Sequence, residues 1–216
     1  MTGVALFFMR CRVYIDGFNL YYGALKSTSY RWINLRRMCE LLLPSDHDIQ
    51  FVKYFTAQVS GTSRDPTKPN RQQLFFRALK TIPNFKIIFG SFQSHKVLRP
   101  LAYPISGLPN MVMVEDTKEK GSDVNLASHL IADGYKNIYD VAVLVTNDSD
   151  LITPIRMVRE ELHKRVGTIN PQKKLSVELK RYADYCLPIT ESALKESLFP
   201  DKLSDKVGAF HKPPTW

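Results

Sequence analysis

Residues 139–155 read YDVAVLVTNDSDLITPI, and this stretch decides the class of fold. Val141 to Val145 form an unbroken apolar run, as expected of a central parallel strand covered on both faces rather than one with a solvated side. Asp150 to Leu162 then carries a helical pattern, with Pro154 placed in its first turn, where a missing N–H leaves no helical bond unmade. A strand, a short acidic turn and a helix follow one another here.

The same alternation continues outward in both directions. Arg12 to Asp16 (RVYID) is β-prone and runs into GFNLYYGAL, which turns helical through Leu20 and Leu25. In Asn34 to Leu43 the apolar residues Leu35, Met38, Leu41 and Leu42 share one helical face, and Pro44 ends it. Ile49 to Val59 and Phe85 to Phe92 read as strands on either side of a helical Arg71 to Thr81. Ser122 suits the N-cap of a helix whose apolar face, Val124, Ala127, Leu130 and Ile131, stops at Gly134. Arg165 to Asn170 and Cys186 to Thr190 read as further strands, separated by a helical Leu175 to Tyr182. Strands alternating with helices predict an α/β fold with a mainly parallel sheet.

Two segments interrupt the pattern. Gly61 to Asn70 (GTSRDPTKPN) has the content of an exposed loop. Ser94 to Asn110 carries Pro100, Pro104 and Pro109 with little periodicity, so an inserted loop or lid is expected there, leading to a small strand at Met111 to Val114. The expected organisation is a dispensable leader over residues 1–10, one domain over 11–199, and a flexible basic tail over 200–216.

A chain of 216 residues accommodates one domain with a full core, and 44% apolar against 24% charged residues is a globular balance. The net charge of +9 favours anionic partners. No apolar run reaches the roughly 18 residues of a transmembrane helix. Val4 to Met9 lacks the basic region of a signal peptide, so a cytoplasmic protein is expected. Cys11, Cys39 and Cys186 show no CxxC spacing, which argues against a disulfide framework or a zinc site.

In an open parallel sheet, ligands sit at the carboxyl ends of the strands near the point where strand order reverses. Asp16 closes the first strand, and Asp148 and Asp150 follow the most apolar one. Asp123 opens a helix just after Gly121. If the two strands are neighbours, these carboxylates converge, and like charges in one crevice call for a compensating cation. Mg²⁺ suits hard oxygen donors and leaves positions open for water or phosphate, from which water can be activated and a leaving oxygen stabilised. Taken singly, Asp123 and Asp150 read as complements to a helix dipole, and Asp16 and Asp148 as turn starters. Their joint placement is what points to a site.

VYIDGFNLYYGAL resembles the opening DGxN segment of NYN domains, and KGSDVNLASHLIADGYKNIYDVAVLVTNDSDLITPI is similar to their K-G-x-D, strand, and G/N-D-x-D segment. The spacing is compatible from about Arg12 to Ile189. The resemblance implies a PIN-like, three-layer α/β/α fold with a mainly parallel sheet, and a ribonuclease dependent on Mg²⁺ or Mn²⁺. It carries over Asp16, Asp123, Asp148 and Asp150 as the catalytic and metal-binding set, with Asn19 orienting a phosphate or a metal-bound water and Asn147 and Ser149 as local helpers. TND stands here where many relatives have SGD, and both carboxylates are kept.

RNA is the implied partner, and no membrane is; the resemblance leaves room for a homodimer or a cognate inhibitory protein. Lys120, which the family pattern includes, and Lys118 precede Asp123, while Arg64, Lys68, Arg71, Lys96 and Arg99 lie in or beside the two interrupting segments. Contacts from such residues to phosphate are salt-dependent and largely independent of sequence. Tyr21, Tyr22 and Trp32 suit either base stacking or the core, and the five histidines are scattered without ligand spacing. Two other readings compete. A non-catalytic RNA-binding module would keep the fold and need no metal. An aspartyl phosphatase would want DxD after the first strand, where Asp16 is followed by Gly17 and Phe18.

Overall fold

In the first strand, β1 (Met9–Asp16), the side chains of Cys11, Val13 and Ile15 enter one hydrophobic cluster while Tyr14 enters another. β6 (Val141–Val145) divides likewise, Val141, Val143 and Val145 to one side and Ala142 and Leu144 to the other. All five of its residues are buried, which is why its sequence shows no alternation. The computed structural model describes residues 8–216 apart from Arg64 and Leu108. Its main sheet has six strands in the order β3-β2-β1-β6-β7-β8, and every neighbouring pair is parallel. Helices cover both faces, giving the PIN-like α/β/α arrangement.

The chain passes from β1 into α1 (Gly17–Leu20), continued by a π-helical turn (Tyr21–Leu25), and then α2 (Leu35–Leu42). β2 (His47–Thr56), α3 (Lys68–Lys80) and β3 (Phe85–Phe89) extend the sheet to one edge. After β4 (Ser91–Pro100) and β5 (Met111–Lys120), α4 (Ser122–Tyr135) returns the chain to β6, on the other side of β1. The order reverses between β1 and β6, and the crevice at their carboxyl ends is where such a sheet binds ligands. A 3₁₀ turn (Ser149–Leu151), α5 (Ile152–Arg156) and a π-helical turn (Met157–Glu161) lead to β7 (Arg165–Asn170). α6 (Val177–Tyr182), β8 (Tyr185–Pro188) and α7 (Glu191–Glu196) finish the sheet and its cover.

Several expectations are corrected. Ser94 to Asn110 is not a structureless insertion: β4 and β5 form a two-stranded antiparallel ribbon from Ser91↔Lys120 to Pro100↔Met111, and only 101–110 lie between them. Phe92 at its foot packs on Phe18, but most residues of the ribbon are exposed, so it shows little hydrophobic alternation. Its partners are cross-strand polar groups instead, such as Lys96 opposite Glu115 and the Ser94 and Thr117 hydroxyls 2.7 Å apart. The small strand expected at 111–114 therefore extends through Lys120, and Phe85 to Phe92 breaks at Gly90 into two strands. Ser122 is the first residue of α4 rather than its cap. Gly121 takes that position with φ +97, a conformation that favours glycine.

The tail is also ordered. β9 (Lys202–Asp205) and β10 (Gly208–His211) form a hairpin, Phe210 is buried, and Trp216 packs on Trp32 and Phe75 with ring centroids 6.3 and 5.5 Å apart. A few aromatics spread through polar sequence suffice, because their partners are far away in the chain. At the other end Met9 and Arg10 belong to β1, the latter paired with Asp140 at 2.6 Å, so the domain starts inside the segment read as leader. Residues 1–7 of that leader lie outside the described residues. Among the described residues, no helix is long and apolar enough to cross a membrane.

Candidate metal centre

Asp16 ends β1 and caps α1, its Oδ1 accepting the Asn19 N–H at 2.9 Å and its Oδ2 the Thr146 hydroxyl at 3.1 Å. The next residue must be small: a Cβ on Gly17 would lie 2.6 Å from the Phe55 carbonyl oxygen and 2.8 Å from the Tyr54 ring. The glycine of the DGxN segment thus lets α1 start directly against β2. Asn19 fastens the opposite loop, its Oδ1 accepting the Asn147 N–H at 3.1 Å and the Gln172 amide at 3.3 Å.

Thr146 follows β6 and is fully buried. Its hydroxyl, while donating to Asp16, accepts the Asp148 N–H at 3.1 Å, so one side chain positions both acids. Asp148 caps the following 3₁₀ turn through Oδ1 and the Asp150 N–H, at 3.0 Å. Asp123 enters from the first turn of α4. Ligand atoms of Asp16, Asp123 and Asp148 all lie within 4.8 Å of one another, on the wall of a cavity of about 300 Å³ that Phe18, Asn19, Tyr22, Phe92 and Glu119 complete.

Burial pushes the Asp16 carboxyl up to about 6, and the charges of Asp123 and Asp148 push the same way against the hydrogen bonds of Asn19 and Thr146. Asp123 is raised too, by burial first and then by Asp148, Glu119 and Asp150. Three converging carboxylates, with the charges of Asp16 and Asp123 disfavoured, are the donor set a divalent cation offsets. The all-oxygen chemistry fits Mg²⁺ or Mn²⁺, with further positions open to water or phosphate.

Of the expected set, the structure brings together three acids and not the fourth. Asp150 is exposed and outside the group of three, contributing its backbone N–H to Asp148 and its charge to the field on Asp123. Asn19 lines the cavity, but its oxygen is engaged by the loop after β6. Glu119 was not anticipated. It accepts the Ser122 hydroxyl at 2.8 Å, and its only sequence signal is its position between Lys118 and Lys120, beside the glycine that opens α4.

The basic residues divide. Lys120, exposed, stands at the foot of the ribbon opposite Ser91, beside the cavity, whereas Lys118 pairs with Asp116 at 3.4 Å. Arg99 also holds Asp116, at 2.9 Å, and lies eight residues beyond Ser91, roughly 27 Å of strand. Lys96 faces Glu115 on the same ribbon. Neither of these two flanks the strand ends as expected. Lys68 and Arg71 line a second cavity, and Arg64 lies outside the described residues. Tyr22 is exposed at the site, while Trp32 is entirely in the core.

The sequence profile of the NYN domain matches residues 10–190. The chain belongs to the NYN domain family. It is thereby a member of the PIN-like superfamily, with a nuclease-like fold. One relative of this NYN domain is the 6-hydroxy-3-succinoylpyridine 3-monooxygenase HspA of Pseudomonas putida (strain DSM 28022 / S16), 30% identical in an alignment 188 residues long that covers 76% of this chain and 60% of that protein. The chain thus spans about 60% of the length of that curated relative. Among solved structures, a protein of unknown function, VPA0982 from Vibrio parahaemolyticus RIMD 2210633, superposes with a TM-score of 0.56 at 17% identity, over 88% of this chain and 98% of that one. This second likeness concerns the fold alone.

Proposed function

We propose that this NYN domain is a cytoplasmic ribonuclease that hydrolyses RNA phosphodiester bonds, with Mg²⁺ or Mn²⁺ held by Asp16, Asp123 and Asp148. The observation that carries this reading is the convergence of those three carboxylates within 4.8 Å at the point where the strand order reverses. When bound, the cation supplies Lewis acidity and neutralises phosphate charge. Thr146 and Asn19 set the acids and the loop around them, and Glu119 and Asp150 add outer negative charge. Lys120 meets the phosphate backbone. Incubating the purified protein with RNA and with DNA, in Mg²⁺, Mn²⁺ or EDTA, tests the reading. Cleavage of RNA is expected only with metal, and is lost in Asp148→Asn, which removes a charge with little change of volume. RNA bound equally well in EDTA but never cleaved would make the domain a non-catalytic binding module.

The likeness to HspA favours a second reading, in which the same crevice hydroxylates an aromatic heterocycle. That chemistry consumes dioxygen and a two-electron reductant. Oxygen uptake with a reduced nicotinamide and a hydroxypyridine bearing a carboxylate side chain is the measurement that separates it from hydrolysis.

A further inference from the structure

Beside the acidic cavity lies a second one, of about 200 Å³, and the two share Phe18 and Tyr22 as a common wall. Its interior is aromatic. Tyr54 and Phe75, both buried, line it together with Phe18 and Tyr22. Its polar side is cationic and incompletely satisfied. Arg71 is paired with Asp65, but Lys68 forms no ion pair among the described residues. Arg31 lines the cavity as well and donates through Nη2 to the Thr215 carbonyl at 3.0 Å.

A ligand matched to these walls is flat, offers aromatic faces, carries an acceptor for Arg31, and has a negative group within reach of Lys68. From this geometry we infer that the aromatic cavity receives the unstacked base of the nucleotide adjoining the phosphate held at the acidic cavity, with Arg31 meeting an acceptor on the base and Lys68 the neighbouring phosphate. The inference rests on the ribonuclease reading of the acidic site. It adds a selectivity. A base must leave its stack to enter, which single strands, loops and bulges permit and a continuous duplex does not. Stacking on aromatic side chains is tolerant of base identity, so little sequence preference follows from this cavity.

The test uses the full chain in EDTA, titrated with the four ribonucleoside 5′-monophosphates, with ribose 5-phosphate and with benzoate, and followed by calorimetry or by NMR shifts. A parallel assay measures cleavage of a short single-stranded RNA in Mg²⁺. The expected result is metal-independent binding of the nucleotides, at least tenfold tighter than ribose 5-phosphate, and weakened about fivefold or more in Tyr22→Ala and in Arg31→Gln. Tyr22 is 61% exposed, so its truncation leaves the fold unaffected. Ribose 5-phosphate binding as tightly as the nucleotides, or unchanged affinity in both variants, overturns the inference. Benzoate binding more tightly than any nucleotide overturns it too, and assigns the cavity to small aromatic acids. RNA cleavage without nucleotide binding sinks the base subsite and leaves the nuclease standing. Nucleotide binding without cleavage supports the base subsite and overturns the nuclease.

Discussion

The Thr146 hydroxyl donates to the Asp16 carboxylate at 3.1 Å across the seam between β6 and β1, and the same oxygen accepts the backbone N–H of Asp148. One buried side chain therefore sets the spacing of two candidate ligands. Thr146→Val keeps the shape and removes both bonds. Residues that orient metal ligands typically account for about 10–100-fold in metal affinity, and a loss of that size is expected in a Mn²⁺ titration of the variant. Turnover at saturating metal should fall less. Unchanged metal affinity would reduce Thr146 to a packing residue.

Asp16 itself should work against stability when no metal is bound. Its folded-state pKa of about 6 lies above the ordinary 3.8, so the protonated form favours the fold. That contribution is complete below pH 3.8 and is lost as the pH rises through about 6. A shift of about two units corresponds to about 3 kcal/mol. In EDTA, Asp16→Asn is expected to be more stable than the wild type at pH 8 and to lose the difference by pH 4. Mn²⁺ should raise the melting temperature of the wild type and leave the variant nearly unmoved. A wild type whose metal-free stability is flat between pH 4 and 8 would contradict the raised pKa.

How much of the fold is legible in the sequence depends on burial. β6 is readable residue for residue because both of its faces are covered, and β7 because it lies next to it in the same parallel sheet. The β4–β5 ribbon is less so, because most of its residues are exposed. Leu98 and Met113 are 55% and 63% exposed, so little alternation records the strands. The C-terminal hairpin escaped for another reason, its anchors Phe210 and Trp216 meeting Trp32 far away in sequence. At the site, Asp16, Asp123 and Asp148 stand out in the sequence because each lies at or beside an element end, Asp16 closing β1, Asp123 second in α4 and Asp148 capping the 3₁₀ turn. Asp150, exposed on the 3₁₀ turn that Asp148 caps, does not join the group of three. Its backbone N–H, not its carboxylate, meets the cluster's Asp148. Glu119 sits on the less legible ribbon.

Because the tail is docked, its aromatic anchor should carry stability. Phe210 is 4% exposed, lies 6.4 Å from the Trp32 ring, and is covered by the Arg77 guanidinium at 4.2 Å. Phe210→Ala is expected to cost about 3–5 kcal/mol, measured by urea unfolding. A cost under about 1 kcal/mol would return the tail to the mobile segment its sequence suggests.

Arg77 also clamps Asp205 through two hydrogen bonds of 2.9 and 2.8 Å, holding that carboxyl down at about 2. A depressed pKa stabilises the fold above the unfolded value of 3.8, and the contribution is lost as the pH falls through about 2. The stability gap between wild type and Asp205→Asn should therefore be widest above pH 4 and close on acidification. A gap that persists unchanged to pH 2 would mean the ion pair is not what the substitution removes.

RNA affinity should depend on the basic residues in the order of their freedom. Each Lys or Arg that neutralises a phosphate contributes about 0.7 to the slope of log affinity against log salt for single strands. Lys120 at the ribbon foot and Lys68 at the second cavity make no ion pairs among the described residues, whereas Arg99 is held by Asp116 and Lys96 faces Glu115. Binding through Arg99 requires breaking or sharing its pair with Asp116, and Glu115 opposite Lys96 repels phosphate, both of which offset the gain. Lys68→Gln with Lys120→Gln is expected to lower the slope by about 1.4, and Lys96→Gln with Arg99→Gln by clearly less. In both pairs the acidic site is untouched, so turnover of saturating RNA should change less than apparent affinity. If the ribbon pair lowers the slope more, the RNA lies along β4 and β5, the ion pair with Asp116 opens on binding, and the ribbon rather than the cavity rim is the principal RNA-binding surface.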